Sequence, residues 1–342
     1  MSELGQALAQ GINERDSIRA NQTSPSTIHN YFVFGRYRIK VSKSYFKSES
    51  RTVGTAFILG HSTNGVLGTS GAGGNDNVLG EATMGSWTEI ETDNSSEPVT
   101  NLTTLEVAKW LNSESADNPT HIAIGTGSTA YDKSNDDMVS EVQTRIEGTM
   151  DYGTSKTVQI QGHFNDLSQS GITEVGIFTA SSSGTLYYRK VVSSINMALT
   201  SQYRFTIKFV LSDASGGDSK VVDEGLNEIR DWMGGSSGTA PTYAEWNDST
   251  TTPASNQTAA DWDAGGSNED RNIFNNQSRV DNIVIFKTTL PAADLGSVSI
   301  TKSGTFNDSS NGNLFGQMKY GAIDKSTLFQ VYEEDRYIIT NT

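Results

Sequence analysis

Polar and hydrophobic residues alternate along short stretches throughout the chain, and a two-residue period of this kind predicts β-strands with one buried face. In Thr157–His163, Val158 and Ile160 fall on one face and polar residues on the other. The same pattern, or a short apolar run, predicts strands at Tyr31–Val41, Arg51–Leu59, Trp87–Thr92, Ile172–Phe178, Thr185–Val192, Tyr203–Leu211, Ile283–Thr288, Ser297–Thr301, Leu314–Tyr320 and Phe329–Ile339. The chain is therefore expected to be mainly β.

Two segments have the three- to four-residue spacing of an amphipathic helix instead. The apolar positions are Leu102, Leu105, Val107 and Leu111 in the first segment, and Val222, Leu226, Ile229 and Met233 in the second. Each of these helices precedes a group of predicted strands. Near the N-terminus, Leu4–Ile12 predicts a further short helix and Arg15–Ile28 an extended polar arm.

The two groups of strands repeat one another. Trp110 and Trp232 lie 122 residues apart, and Pro119 and Pro241 have the same separation. Three later matches keep the same order: Val158 with Ile283 and Gly171 with Gly296 at 125 residues, and Gly184 with Gly312 at 128. An offset that grows while the order is kept indicates a tandem duplication with loop insertions. Chance similarity in a chain rich in Gly, Ser and Thr is the alternative.

The predicted fold is mainly β, with an N-terminal β-rich anchoring region at residues 1–100. Two tandem antiparallel β-sandwich-like modules follow at residues 101–212 and 221–342, each preceded by a short helix. The segment 213–219 has the composition of a short flexible linker. A Gly- and Asn-rich loop at residues 61–80 is interpreted as a contact used in assembly.

The net charge is −15 and the sequence pI is about 4.7, which disfavours binding to a phosphate backbone. Arg36, Arg38 and Lys40 alternate along one predicted strand, so they are interpreted as its solvated face. The absence of cysteine excludes disulfides and thiolate metal sites. No signal peptide and no membrane insertion are expected, because no apolar run approaches the ~20 residues that span a bilayer.

Four motifs follow the amphipathic helix that is predicted around Leu102–Leu111. They are Pro119-Thr-His-Ile-Ala-Ile-Gly-Thr-Gly-Ser128, Glu141-Val-Gln-Thr-Arg145, Gly171-Ile-Thr-Glu-Val-Gly-Ile-Phe178 and Gly184-Thr-Leu-Tyr-Tyr-Arg189. With these motifs, residues 101–212 resemble a module of tail, baseplate and fibre proteins in tailed phages and tailed archaeal viruses. The second copy resembles it only in part, because Glu245-Trp-Asn-Asp-Ser249 replaces the Gly-Thr-Gly turn.

The resemblance implies a virion structural protein of a tailed virus, a tail fibre or baseplate component that acts by assembly and host attachment. A capsid-surface turret or decoration protein is one alternative, and a receptor- or glycan-binding module is another. The expected partners are copies of the chain in a symmetric homo-oligomer, a trimer in the case of a fibre. Other virion proteins are expected to bind through residues 1–100, and a host-surface glycan or receptor is expected in the binding alternative. The expected location is the virion.

Neither catalysis nor a cofactor is predicted. The four histidines, His29, His61, His121 and His163, lack a second His or carboxylate at metal-binding spacing. A strand–turn–helix context for a serine nucleophile is also missing. Three acidic loops, at residues 132–137, 213–218 and 261–270, offer oxygen ligands, so calcium or magnesium is expected if a metal binds. A solvated loop is the simpler interpretation of each.

The candidate binding residues lie in the second copy. Trp246 and Trp262 fall in a loop-rich segment, and Asp261 and Asp263 flank the second indole. Because an exposed indole beside carboxylates suits a sugar ring, these four residues are predicted to contact a glycan or receptor. The alternative is that both tryptophans are anchors in a core or an interface.

Overall fold

A computed structural model describes residues 29–53, 84–263, 271–292, 294, 298–326 and 329–342. Four predicted features lie wholly or mostly outside the described residues: the helix Leu4–Ile12, the arm Arg15–Ile28, the strand Arg51–Leu59 and the loop at 61–80. Gly296, one of the matched glycines, also lies outside them.

Within the described residues the chain is mainly β, which confirms the predicted class. The strands are β1 (His29–Thr52), β2 (Thr88–Asp93), β3 (Glu97–Pro98), β4 (His121–Gly125), β5 (Ile146–Glu147), β6 (Thr149–Asp151), β7 (Thr157–Phe164), β8 (Gln169–Phe178), β9 (Leu186–Met197), β10 (Ser201–Asp213), β11 (Ser219–Val221), β12 (Tyr243–Asn247), β13 (Asn272–Ile273), β14 (Asn276–Val280), β15 (Ile283–Leu290), β16 (Val298–Phe306), β17 (Leu314–Lys325) and β18 (Phe329–Thr340). The helices are α1 (Asn101–Leu111), α2 (Asp223–Met233) and α3 (Ala259–Asp263).

The described strands form three sheets. A nine-stranded sheet has the order β14-β15-β18-β1-β10-β7-β6, with β2 and β3 also paired to β1. A five-stranded sheet, β11-β17-β16-β12-β13, belongs to the second copy, and a four-stranded sheet, β5-β4-β8-β9, belongs to the first. Buried apolar residues from all three sheets form one main core. Strands of both copies and of the N-terminal region therefore share the nine-stranded sheet.

The same elements recur in the same order in both copies. α1 and α2 begin 122 residues apart, as do β4 and β12, and β9 and β17 begin 128 apart. The alignment of Val158 with Ile283, however, is wrong by one residue. Val158 is buried on β7, and the buried residue in the same place on β15 is Val284. A one-residue shift in a strand exchanges its two faces, so burial fixes the offset at 126.

The two helices begin in different ways. Thr100 precedes α1, and its Oγ1 accepts a hydrogen bond from Thr103 N–H at 3.2 Å while it donates to the Leu186 carbonyl at 2.6 Å. This is a side-chain N-cap. Val222 precedes α2 and has no side-chain cap, but Glu224 and its neighbour place carboxylates in the first turn. Negative charge there interacts favourably with the positive end of the helix dipole.

Strand β1 connects the two copies. Its first part, His29–Lys40, runs parallel to β18, and Ile39–Thr52 runs antiparallel to β10. β10 and β18 are equivalent strands of the two copies, so they run in opposite directions on either side of β1. Both end beside residues 39 and 40, near the middle of β1.

The copies are related by an approximate two-fold rotation. Helix α1 packs on β9 of its own copy and on β15 and β18 of the other, while α2 packs on β17 and on β7 and β10. The equivalent residues Trp110 and Trp232 stack on one another, with ring centroids 5.5 Å apart and planes 19° apart. Self-contact of equivalent residues is what a two-fold axis produces.

The second half of β1 is more polar than a buried strand usually is. Lys43 is fully buried, and its Nζ lies 2.8 Å from Asp93 and 3.5 Å from Glu97. Lys190 Nζ lies 2.6 Å from the same Asp93. Burial raises the pKa of Asp93, but the hydrogen bonds from Lys190 and Lys43 outweigh it and hold that pKa well below its usual range. This network explains why β1 continues to Thr52 through a polar sequence that did not predict a strand.

Candidate functional site

The two tryptophans predicted to face solvent are buried. Trp246 has no exposed surface, and Trp262 is 2% exposed. Trp246 lies on β12 and not in a loop, at the position that Ile124 occupies on β4. The offset of 122 between the copies contains this information, because it aligns Trp246 with a core residue of a predicted strand. The predicted exposure of both indoles is wrong.

The indole of Trp262 belongs to an internal network. Its Nε1–H donates to Glu245 Oε1 at 2.8 Å, and Arg271 Nε donates to Glu245 Oε2 at 2.9 Å. The Arg271 guanidinium lies 3.7 Å from the ring centroid of Phe306. The first copy repeats this stacking, with an arginine at residue 145 over a phenylalanine at residue 178. A feature present in both copies supports packing and not ligand contact.

Asp261 is exposed, but its carboxylate is used locally. It accepts hydrogen bonds from the Thr258 backbone N–H and hydroxyl, both at 2.9 Å, and these bonds lower the pKa of Asp261. The residue therefore stabilises the start of α3. The side chain of Asp263 lies outside the described residues. The structure thus does not bring the four predicted contact residues together on a surface.

Three of the resemblance motifs meet in one buried network. The Glu174 carboxylate accepts Arg189 Nε–H at 2.6 Å, and both side chains are fully buried. The same carboxylate accepts the backbone N–H groups of Gly127 at 3.0 Å and Ser140 at 2.7 Å. A charge pair of this kind is stabilised by its extra hydrogen bonds. The motif residues therefore stabilise the Gly-Thr-Gly turn through the buried Glu174 carboxylate.

A pair of acidic side chains is also buried, and no cation among the described residues is paired with it. Glu333 is 3% exposed and Asp335 has no exposed surface. Ser303 Oγ donates to Glu333 Oε1 at 2.5 Å, whereas Glu333 Oε2 and both Asp335 oxygens lack a hydrogen-bond partner of normal geometry among the described residues. The hydroxyl of Tyr37, also buried, has none either. Gly35 lies opposite Asp335, and a side chain there would overlap Asp335 Oδ1.

Burial raises the pKa of Glu333 to about 7 and raises that of Asp335 well above its usual range. The nearby Glu333 carboxylate adds to the effect on Asp335. The alternation in Phe329–Ile339 already places both acids on the face of Val331 and Tyr337, so the sequence held a signal for their burial. Burial without a paired cation disfavours the charged form of a carboxyl. These two carboxyls therefore bind protons at a higher pH than exposed carboxyls do.

The outer face of β1 exposes two aromatic side chains on the nine-stranded sheet. Phe32 and Phe34 are 39% and 45% exposed. Phe32 stacks on Tyr332 of β18, with ring centroids 5.4 Å apart. A cavity of about 310 Å³ opens beside them, and Lys287 and Glu334 also line it. Along the same face, Arg36, Arg38 and Lys40 are half-buried to exposed, in agreement with the predicted solvated face.

Within the part of the chain that the structure describes, no three His, Asp or Glu side chains are arranged to hold a metal ion. None of the described helices is long and apolar enough to cross a bilayer. No family model, curated protein or solved structure matches the chain.

Proposed function

We propose that the protein is a structural component of a tailed-virus particle, a tail fibre or baseplate protein that assembles with its own copies and with other virion proteins. The resemblance over residues 101–212 supports this setting. Its motif residues Gly127, Glu174 and Arg189 form one buried network, so they specify a fold and not a reaction. A mainly β fold with one main core suits an architectural role.

The observation that carries the assembly role is the aromatic surface of β1. Phe32 and Phe34 stand exposed in a molecule whose other large aromatic side chains are mostly buried. An apolar patch rimmed by polar residues marks an interaction site. The neighbouring Arg36 and Arg38 give this strand a positive face in a chain of net charge −15. Acidic surfaces of neighbouring copies complement such a face.

The alternative roles differ in the position of the assembly on the particle and in what it binds. A capsid-surface turret or decoration protein needs the same self-assembly as a tail component. Host attachment is retained in the proposal, but it uses surfaces other than Trp246 and Trp262, since both are buried. The residues of a host-contact surface are therefore sought on the loops of the second copy that differ from the first.

Two measurements test the proposed function. Light scattering on the purified full chain is expected to give a defined oligomer across a wide concentration range. Immunogold labelling with antibodies against the chain is expected to decorate the tail, baseplate or capsid of particles from the same source. A chain that stays at its monomer mass of 36.9 kDa under all conditions, or particles that take up no label, would contradict the proposal.

A further inference from the structure

The first half of β1 has an edge that no strand of the described chain covers. Residues 29–40 pair with β18 on one edge, whereas β10 reaches the other edge only from Ile39 onwards. Beside residues 29–38, ladder partners on that second edge are therefore missing among the described strands. We call the stretch Phe32–Phe34 of this edge the open edge.

The backbone of Arg38 shows which groups point to the open edge. Its N–H donates to Ser215 Oγ at 2.8 Å, and its carbonyl accepts from Ala214 N–H at 2.8 Å, both on the side of β1 opposite β18. Along a strand, backbone groups point alternately to the two edges. Counting back in steps of two, Phe32 and Phe34 present their N–H and C=O groups to the open edge. An unpaired edge of this kind is a template for another strand.

The second half of β1 shows what fills such an edge. Between residues 42 and 50, β1 pairs with β10 on one edge and with β2 and β3 on the other. Under the approximate two-fold rotation, which exchanges β10 with β18, the place of β2 and β3 maps onto the open edge. Among the described strands, β1 is thus paired on both edges in one half and on one edge in the other.

We propose that the open edge pairs with the open edge of a second copy of this chain, antiparallel and centred on Val33. This inference rests on the proposed assembly function and names its interface. In this register Phe32 faces Phe34 of the second copy, and the two residues exchange a pair of backbone hydrogen bonds. Arg36 faces Asn30 of the second copy, so no like charges oppose one another. Cross-strand aromatic pairs stabilise antiparallel sheets.

The sequence of the edge favours a second copy as the occupant. An aromatic residue stands on each side of Val33, at Phe32 and at Phe34, and both have backbone groups on the open edge. The pattern is therefore self-complementary, as an isologous two-fold interface requires. Pairing would cover two phenylalanines that are 39% and 45% exposed and would join two nine-stranded sheets. A three-fold fibre uses a heterologous contact, which a self-complementary edge does not provide.

Proline at residue 34 is the sharpest perturbation of the interface. The N–H of Phe34 points to the open edge, so Phe34→Pro removes no hydrogen bond to β18 but blocks pairing with another strand. Light scattering is expected to show that the full-chain assembly falls to half its mass or less. Leu199→Ser is the matched control, because Leu199 is 62% exposed and lies in the turn between β9 and β10, beside the end of β1 that is remote from the open edge. Far-ultraviolet circular dichroism should be the same for both variants and the parent chain.

The register can be read by cross-linking, because the chain has no cysteine of its own. In the proposed pairing the Cα atoms of residues 32 and 34 in opposite copies lie about 5.5 Å apart, a distance that a disulfide spans. Phe32→Cys and Phe34→Cys, mixed and oxidised, should therefore give a covalent dimer. Each variant oxidised alone should give little covalent dimer. In the proposed register the two identical cysteines do not face one another, because residue 32 faces residue 34 of the second copy.

The outcomes separate this inference from the proposed function. An assembly that keeps its mass in Phe34→Pro, including a trimer, would overturn the edge pairing and leave the assembly role intact. An assembly without the mixed cross-link would refute the register. A parent chain that is monomeric, but dimerises when residues 1–28 are deleted, would assign the open edge to that segment and overturn the proposal. A monomer in every form would contradict both proposals.

Discussion

Replacing Glu333 by Gln removes an ionisable group from the protein interior with little change of shape. The carboxyl is 3% exposed, and Ser303 Oγ donates to one of its oxygens, which the Gln oxygen can replace. Burial raises the pKa of Glu333 from 4.5 to about 7 in the folded protein. The buried groups near it include Asp335, whose pKa is also raised, and the hydroxyls of Tyr37, Tyr320 and Tyr337. We expect a pH dependence that the variant lacks.

The direction follows from the proton count. Below pH 4.5 both states of the chain carry the Glu333 proton, so the group does not affect folding. Between pH 4.5 and about 7 the unfolded chain releases this proton while the folded chain keeps it. Stability therefore falls as pH rises through this window. Each pKa unit corresponds to about 1.4 kcal/mol, and the shift thus amounts to a loss on the order of 3 kcal/mol, complete above pH 7.

Urea unfolding followed by tryptophan fluorescence at a series of pH values between 4 and 8 measures this effect. Glu333→Gln should match the parent chain at pH 4 and exceed it by about 3 kcal/mol at pH 8. Glu147→Gln is the control, because Glu147 is an exposed carboxyl on β5 and should track the parent at every pH. A difference between Glu333→Gln and the parent that does not change with pH would refute the reasoning.

Three further predictions use the same unfolding assay. Trp262→Ala should lower stability by about 3–5 kcal/mol, because the indole is 2% exposed, and a glycan-binding assay should show no selective loss in the variant that remains folded. Asp93→Asn should destabilise the chain by roughly 3 kcal/mol at pH 7, since it removes the nearer of the two carboxylates that Lys43 and Lys190 share. The difference should shrink as pH falls, because the low pKa of Asp93 stabilises the fold only while the group is ionised. Arg189→Leu should lower the free energy of unfolding by about 3–5 kcal/mol, because it leaves the Glu174 carboxylate buried without its cation. Adding Glu174→Gln to this variant should restore part of the loss. Unchanged midpoints in urea would contradict each of these predictions.

The strands were predictable because their alternation reflects burial on one face. Thr157–Phe164 and Phe329–Thr340 lie within one residue of their predicted bounds. Strand β1 was harder, because its second half is held by buried ion pairs between Lys43 and acids of β2 and β3. Such pairs depend on partners about 50 residues away, and a local pattern contains no information on them.

The candidate site shows a different limit. Local composition placed Trp246 in a loop, since Asn and Asp residues follow it, whereas the internal repeat aligned it with the core residue Ile124. The repeat was the better guide, because equivalent residues of a duplicated fold meet equivalent environments. Local composition fails where polar residues lie on a short strand: β12 has only five residues, and Asn247 at its end is itself buried.

The position of β1 has a consequence for how the protein folds. This strand pairs His29 with Phe329 and Lys40 with Thr340, so the centre of the nine-stranded sheet forms only when residues 300 positions apart have met. Contacts of such long sequence separation close late, because loop closure costs entropy before the contacts form. Until then the edges of β10 and β18 that β1 covers are exposed, and both are able to pair with a strand of another chain. After folding, β1 covers those two edges, whereas its own edge beside Phe32 and Phe34 has no partner among the described strands. We therefore place the assembly contact at this edge and not at either sheet of a single copy.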